Sequence, residues 1–202
     1  MTITNGYATL DEFKQYEEIE SYNAVDDSVI ENIIEGVSRE IDRLSGRRFY
    51  ADTIDATRYY TAIEPLCITI DDLSAAPTSV SVDYTEGLRS YTVLTSTDYD
   101  MTPDNALFHG EPYRKIEINP AYSSYFPLSR RGVKVIGKFG FPSVPDQIKQ
   151  ACLIASVAAY KQRFGENMQT TAQVTAAGVV LTPKFGFPDA AMKMIREFRM
   201  HT

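Results

Sequence analysis

An apolar stripe constrains this chain more than any other feature. Val29, Ile30, Ile33, Ile34, Val37, Ile41 and Leu44 recur with a period near 3.6, which an α-helix turns toward one face. The pattern predicts a helix over about 26–45, opened by a Ser28/Glu31 capping pair and stopped at Gly46, where a left-handed residue can end it. A face this wide has to be covered, and three other segments have the pattern to cover it. Thr9 and Glu12 stand at capping-box spacing around Leu10, Phe13 and Tyr16, which predicts a short helix over about 9–17. Pro145 suits a first helical position, and Ile148, Ala151, Cys152, Ile154, Ala155, Ala158 and Ala159 follow it, predicting a central helix over 145–163. Its alanines let a neighbouring helix approach closely. Ala191, Met194, Ile195 and Phe198 predict a last helix over about 188–199.

From about 50 to 139 the period changes to two. Arg58-Tyr59-Tyr60-Thr61, Cys67-Ile68-Thr69-Ile70, Ser79-Val80-Ser81-Val82, Lys115-Ile116-Glu117-Ile118 and Val133-Lys134-Val135 are β-branched or aromatic runs. Pro77, Glu86-Gly87, Pro103-Asp104-Asn105 and Pro120 punctuate them as turns. The fold class expected is therefore α+β: one domain over 1–202, whose helical body carries an inserted antiparallel β subdomain. Residues 165–183 are small and polar with no helical period, and are expected to form a flexible loop. Lys-Phe-Gly-Phe-Pro occurs twice, at 138–142 and 184–188, each time ahead of a predicted helix. It reads either as a reused helix-entry device or, in its second copy, as a contact with another chain.

Charge narrows the partners. The net charge of −7 argues against a surface that clings to nucleic acid, which needs a basic excess against phosphate. Residues 1–42 carry eleven acids against Lys14 and Arg39, whereas 140–202 carry seven bases against four acids. The asymmetry suits either solvated helix faces or complementary ends through which copies meet. No run approaches the ~18–20 apolar residues of a membrane helix, and Met-Thr-Ile-Thr-Asn-Gly lacks the pattern of a secretory signal. The reading is a soluble, unexported chain with no membrane partner.

Chemistry is sparse. No phosphate loop, dinucleotide turn, zincin motif or nucleophile elbow is present. Cys67 and Cys152 form no Cys-x-x-Cys pair and are expected to be buried thiols. His201 stands in the last residues, and His109 in a His-Gly turn. The pairs Asp71-Asp72 and Asp98/Asp100 suit turn chemistry, although Asp71, Asp72 and His109 would make a site if they converged. Arg47-Arg48 and Arg130-Arg131 are adjacent basic pairs, read as surface or intersubunit ion-pair partners. Thirteen tyrosines and ten phenylalanines make an aromatic-rich β region, a composition that interfaces and cores share.

Short patterns add something more specific. Tyr7-Ala8-Thr9-Leu10 with Glu12-Phe13-Lys14 and Tyr16 is followed by Ser38-Arg39-Glu40-Ile41-Asp42 and Gly46-Arg47-x-Phe49. Thr57-Arg58-Tyr59-Tyr60, Asp98-Tyr99 with Pro103 and Asn105, and Gly137-x-Phe139-Gly140 leading to Val144-Pro145-x-x-Ile148-Lys149-x-Ala151 come after them. Over roughly 7–163 the chain resembles the head-to-tail connector, or adaptor, proteins of long-tailed bacteriophages and prophages. The resemblance implies a non-enzymatic protein without cofactor or metal, located in the virion neck after assembly in the host cytoplasm. It implies a dodecameric ring below the portal protein that extends the channel for double-stranded DNA and meets the next neck or tail-completion protein. DNA would pass without sequence-specific binding. By the same resemblance the C-terminal segment docks on the portal, making Lys184, Phe185, Phe187, Lys193, Arg196, Phe198 and Arg199 portal-contact candidates. Arg47, Arg48, Arg130 and Arg131 remain the intersubunit candidates, and 165–183 is expected to order on assembly. A tail-completion or other neck ring, an enzyme with an unrecognised site and a nucleic-acid-binding module are the competing readings.

Overall fold

The computed structural model describes residues 3–19, 24–85, 87–163, 170–175, 178–183 and 187–199. In chain order the elements are α1 (Leu10–Tyr16), α2 (Asp27–Ser45), β1 (Ala56–Tyr60), β2 (Cys67–Leu73), β3 (Ser79–Val82), β4 (Thr92–Val93), β5 (Tyr99–Thr102), β6 (Tyr113–Ile118), β7 (Val133–Gly137), α3 (Asp146–Arg163), β8 (Thr170–Thr175), β9 (Gly178–Pro183) and α4 (Asp189–Glu197). The class is α+β. The chain divides into two compact units, Met1–Arg47 with Val144–Thr202, and Arg48–Ser143.

The first unit is built on α2. Ile30, Ile34 and Ile41 are fully buried along one line with Ser38 and Ser45, while Ile33 is only half-buried. Ser38 is small enough to admit close packing and polar enough to need partners. Its hydroxyl donates to the Ile34 carbonyl at 2.7 Å, accepts from the Tyr7 amide at 3.0 Å and lies 3.5 Å from the Cys152 sulfur. The facing surface of α3 is Ile148, Ala151, Cys152, Ala155 and Ala158, all buried. α4 adds Ala191 and Ile195 against α2 and α3. Each buried isoleucine contributes about 1.5–3 kcal/mol relative to exposure, so this apolar seam dominates the unit's stability.

The caps divide. Thr9 and Glu12 form the capping box at the start of α1, with Glu12 N–H donating to Thr9 Oγ1 at 3.2 Å and Thr9 N–H donating to Glu12 Oε2 at 2.8 Å. The Ser28/Glu31 pair does not form: Asp26 is the N-cap of α2, and its carboxylate accepts from Tyr160 instead. Gly46 ends α2 at φ 70°, with its amide on the Asp42 carbonyl.

The acidic and basic ends of the sequence meet inside this unit. Lys161 pairs with Glu17 at 2.8 Å, Lys149 with Glu12 at 3.0 Å, and the buried Lys14 with Asp27 at 2.6 Å. Tyr7 donates to Asp42, and Arg39 lies 3.5 Å from the same carboxylate. Two bases of 140–202 are therefore paired with acids of 1–42 within one chain.

Residues 165–183 depart from the flexible loop expected. β8 and β9 pair antiparallel from Thr170↔Pro183 to Thr175↔Gly178. Their Thr and Val content favours extended backbone, whereas a search for helical period passes over it. Residues 165–169 and 176–177 of that segment lie outside the described residues.

The second unit holds two antiparallel sheets, of order β1-β7-β3-β4 and β2-β6-β5. Alternation sends Ile68 and Ile70 of β2, Val80 and Val82 of β3, and Val133 and Val135 of β7 into a shared core with Phe126 and Phe139. β2 and β6 change register between Thr69 and Leu73, where Asp71 and Asp72 sit, and Leu73 bridges to Phe139.

Asp83 organises the loop after β3. Its nearly inaccessible carboxylate accepts from the Thr85 hydroxyl and amide, the Gly87 amide at 3.1 Å and the Arg89 amide at 2.8 Å. The hydrogen bond from Thr85 and then the backbone amides hold its pKa below the ordinary carboxylate value. A carboxyl depressed on folding stabilises above its unfolded pKa of about 3.9, and that stability is lost as pH falls through the lower folded pKa. The protection factors of the Gly87 and Arg89 amides, taken against their intrinsic exchange rates, are therefore expected to be high at neutral pH and to fall below pH ~4. Asp83→Asn should show fast exchange already at pH 7; unchanged protection would remove Asp83 as the organiser.

Candidate interaction surfaces

Two of the candidate carboxylates, Asp71 and Asp98, have a local use. Asp71 accepts from Arg58 at 2.6 Å and from the Tyr60 hydroxyl at 2.9 Å. Burial, and then the Asp71 charge, push the Tyr60 phenol well above its ordinary value, so it remains a neutral donor. Asp72 is buried on β2. His109 is exposed in the 3-10 turn Ala106–His109, its ring edge-on to Phe108, and no hydrogen bond or ion pair links it to Asp71 or Asp72. Asp98 accepts from Thr95 and Ser124 as a turn organiser. Among the described residues no group of three His, Cys, Asp or Glu could hold a metal ion. His201 lies outside the described residues.

The thiols differ from one another. Cys152 is buried in the first unit, and burial raises its pKa despite the adjacent Ser38 and Ser156 hydroxyls. Cys67 is half-buried, against the buried position expected, because it is the first residue of β2 and lies opposite exposed Glu117 on β6. Burial and then Glu117 raise its thiol as well, which makes it a poor nucleophile.

The basic pairs separate in the same way. Arg48 is committed to its own unit: it pairs with Asp52 at 2.7 Å, donates to the Phe139 carbonyl at 3.0 Å and stacks 4.6 Å from the Tyr50 ring centre. Burial disfavours its charge and the Asp52 carboxylate outweighs that, holding the guanidinium above its ordinary pKa. This internal use leaves it little reach as the intersubunit contact that sequence suggests. Arg47 follows the C-cap of α2, where its amide and carbonyl share the Ser45 hydroxyl. Arg131, at φ 59°, stacks 4.3 Å from the Tyr59 ring centre, and its carbonyl accepts from Tyr91 at 2.8 Å. Lys134 lies over Tyr91 at 4.8 Å, so two cations and two tyrosines line the outer face of the first sheet. Arg130 is exposed, and no ion pair holds it among the described residues.

On α4 the buried Ala191 and Ile195 fix which side faces out. Lys193, Arg196 and Arg199 are all exposed at three-residue spacing, giving a cationic stripe, while Phe187 and Phe198 are half-buried at the two ends of the helix. Lys184 and Phe185 lie outside the described residues. Of the repeated pentapeptide, the first copy is a packing device: Phe139 is fully buried, Gly140 turns at φ 114°, and Phe141 packs 4.8 Å from Phe49. Sequence reasoning missed the outer face of the first sheet, although Tyr59 and Lys134 already stood one per strand in the alternation. Only their pairing across β1 and β7 makes them neighbours. No helix of the described residues is long and apolar enough to cross a membrane.

No family model and no curated protein matches the chain. Solved structures do. The fold resembles a chain in the neck of an empty gene transfer agent particle, determined with C6 symmetry, at 14% identity and TM-score 0.57, over 100% of this chain and 94% of that one. It also resembles a chain of a native gene transfer agent virion at 16% identity and TM-score 0.54, over 96% and 89%. At such identities the likeness is one of fold.

Proposed function

We propose that this chain is a structural protein of a virion neck, an adaptor that forms a dodecameric ring below the portal, prolongs the DNA channel and joins head to tail. The observation that carries the reading is the fold likeness, which spans the whole of this chain and nearly all of a chain in a gene transfer agent neck. A dodecamer is compatible with the sixfold symmetry of that neck. The residues support the same reading: Asp71 is occupied by structural contacts, His109 joins neither Asp71 nor Asp72, and the exposed surface carries apolar and charged patches suited to protein contacts. A net charge of −7 per copy suits a conduit through which DNA slides. The outward stripe Lys193, Arg196 and Arg199, with Phe187 and Phe198, is the surface assigned to the portal.

Electron microscopy of the protein mixed with the portal ring from the same genome tests this. The expected result is an additional ring stacked on the portal, with Lys193→Glu/Arg196→Glu binding at least ~10-fold more weakly, since opposed charges are removed from an interface. Both positions are exposed, so the variant should keep its fold. Stacking on tail-side proteins but never on a competent portal would instead make this a tail-completion protein. Wild-type affinity in the charge-reversed variant would move the portal contact off α4.

A further inference from the structure

The outer face of the first sheet gathers hydrogen-bond donors that nothing in the chain uses. Register sets Tyr59 of β1 opposite Lys134 of β7, Lys134 opposite Ser81 of β3, and Ser81 opposite Val93 of β4. Alternation puts Thr57, Ile136 and Ser79 on the same side, one row away. No position of these two rows is acidic. Tyr91 and Arg131 join the first row. The Tyr59 and Tyr91 ring centres are 5.8 Å apart, with the Arg131 guanidinium 4.3 Å from the first and the Lys134 ammonium 4.8 Å from the second.

Arg131 is held in place by its backbone. Its φ of 59° is unfavourable for a residue with a side chain, and bonds on both sides fix it. The Arg131 amide donates to the Thr61 hydroxyl at 3.0 Å, and its carbonyl accepts from the Tyr91 hydroxyl at 2.8 Å. The Phe126 amide donates to the Pro65 carbonyl at 2.7 Å and the Ile118 amide to the Leu66 carbonyl at 2.8 Å, so segment 61–66 is clipped to segment 118–131, which carries the arginine.

Three donors stay open on this face. The Arg131 guanidinium, the Lys134 ammonium and the Tyr59 hydroxyl make no hydrogen bond or ion pair among the described residues. The nearby carboxylates are engaged elsewhere or stand apart. Asp83 turns its oxygens into its own loop, Asp55 accepts from the Thr78 hydroxyl at 2.6 Å, and no ion pair joins exposed Glu64 to either cation. A tyrosine beneath each cation holds it without neutralising it, because a ring face attracts positive charge but carries no net charge. An arginine fork, an ammonium and a hydroxyl side by side match the oxygens of a phosphodiester backbone, whereas lysine is depleted in contacts between proteins.

We propose that this face contacts the phosphate backbone of duplex DNA through Arg131, Lys134 and Tyr59. The proposal rests on the neck reading above and names the surface of each copy that meets the DNA. Two cations on a chain of net charge −7 make a contact weak enough to let DNA slide, and the copies of a ring strengthen it together. Anisotropy of a short labelled DNA duplex across a salt series tests it, with the protein alone and assembled on the portal. Arg131→Gln/Lys134→Gln should bind at least ~10-fold more weakly at low salt, and the slope of log affinity against log salt should flatten by about 2. Tyr59→Phe keeps the ring beneath Arg131 and should lose about 3-fold. Lys115→Gln makes the same kind of charge change at an exposed position of β6 in the other sheet, and should bind as wild type does. Thermal midpoints check that each variant stays folded. Wild-type affinity in the double variant overturns the site, and equal weakening by Lys115→Gln overturns it by reducing the effect to net charge. Wild-type affinity in Tyr59→Phe removes the hydroxyl from the contact. A double variant that binds the duplex normally but no longer stacks on the portal would assign the face to a protein contact and overturn the proposal. Portal-bound rings that bind no more duplex than the portal does overturn this contact alone. Duplex binding through these residues without any ring on a competent portal overturns the neck reading alone.

Discussion

Ile34→Asp is expected to unfold the helical unit at neutral pH. Ile34 is fully buried at the centre of the α2 seam. The substitution forfeits about 1.5–3 kcal/mol of apolar burial and places a carboxylate inside the buried seam, which adds several kcal/mol unless the acid protonates. A total above ~4 kcal/mol is a large share of the ~5–15 kcal/mol that keeps domains folded. Urea unfolding followed by far-ultraviolet circular dichroism should show no folded baseline at pH 7, with partial recovery toward pH 4. Ile33→Asp makes the control: Ile33 is half-buried, so its loss should be near ~1–2 kcal/mol with the fold retained. Equal effects at both positions would mean that the seam is not centred on Ile34.

Gly140→Ala should disrupt the second unit by a different cause. A Cβ at Gly140 would stand 1.9 Å from the Tyr50 carbonyl oxygen and 3.1 Å from the Ala51 Cα, and φ is +114°. Neither obstacle is a movable side-chain tip. The surrounding backbone is tied down, since the Gly140 amide donates to the Asp72 carbonyl at 2.7 Å and the Asp52 amide to the Phe139 carbonyl at 2.8 Å. Strain of about 1–3 kcal/mol for the backbone angle is added to the displacement of the 50–51 backbone, for a loss of roughly 3 kcal/mol or more. Gly46 separates the two effects, because its φ is +70° and nothing lies within 4 Å of its Cβ position. Gly46→Ala should cost only about 1–2 kcal/mol. Denaturation midpoints of the two variants measure the difference, and similar midpoints would show that the Tyr50 contact yields easily.

These two sites mark how far sequence reasoning reaches. The stripe that locates α2 is a local property, because a 3.6 period forces its apolar residues to one face whatever covers them. Which isoleucine is deepest was not legible: Ile33 and Ile34 are equivalent in the pattern, and the line through Ile30, Ile34, Ser38 and Ile41 is chosen by where α3 packs. The Ser28/Glu31 capping pair fails for the same reason, since Tyr160 recruits Asp26 from a helix more than a hundred residues away.

Composition and periodicity alone determined the α+β class, the four helices and the antiparallel β region, since each follows from residues a few positions apart. Only the tertiary structure decided the β8–β9 hairpin, the internal pairing of acidic and basic ends, the commitment of Arg48 and the clip between segments 61–66 and 118–131. Those depend on which distant segments meet. A charge, an arginine or an exposed leucine acquires its role from a partner that local sequence does not specify, and chain folding supplies that partner by bringing Asp52 to Arg48, Glu12 to Lys149 and Pro65 to Phe126.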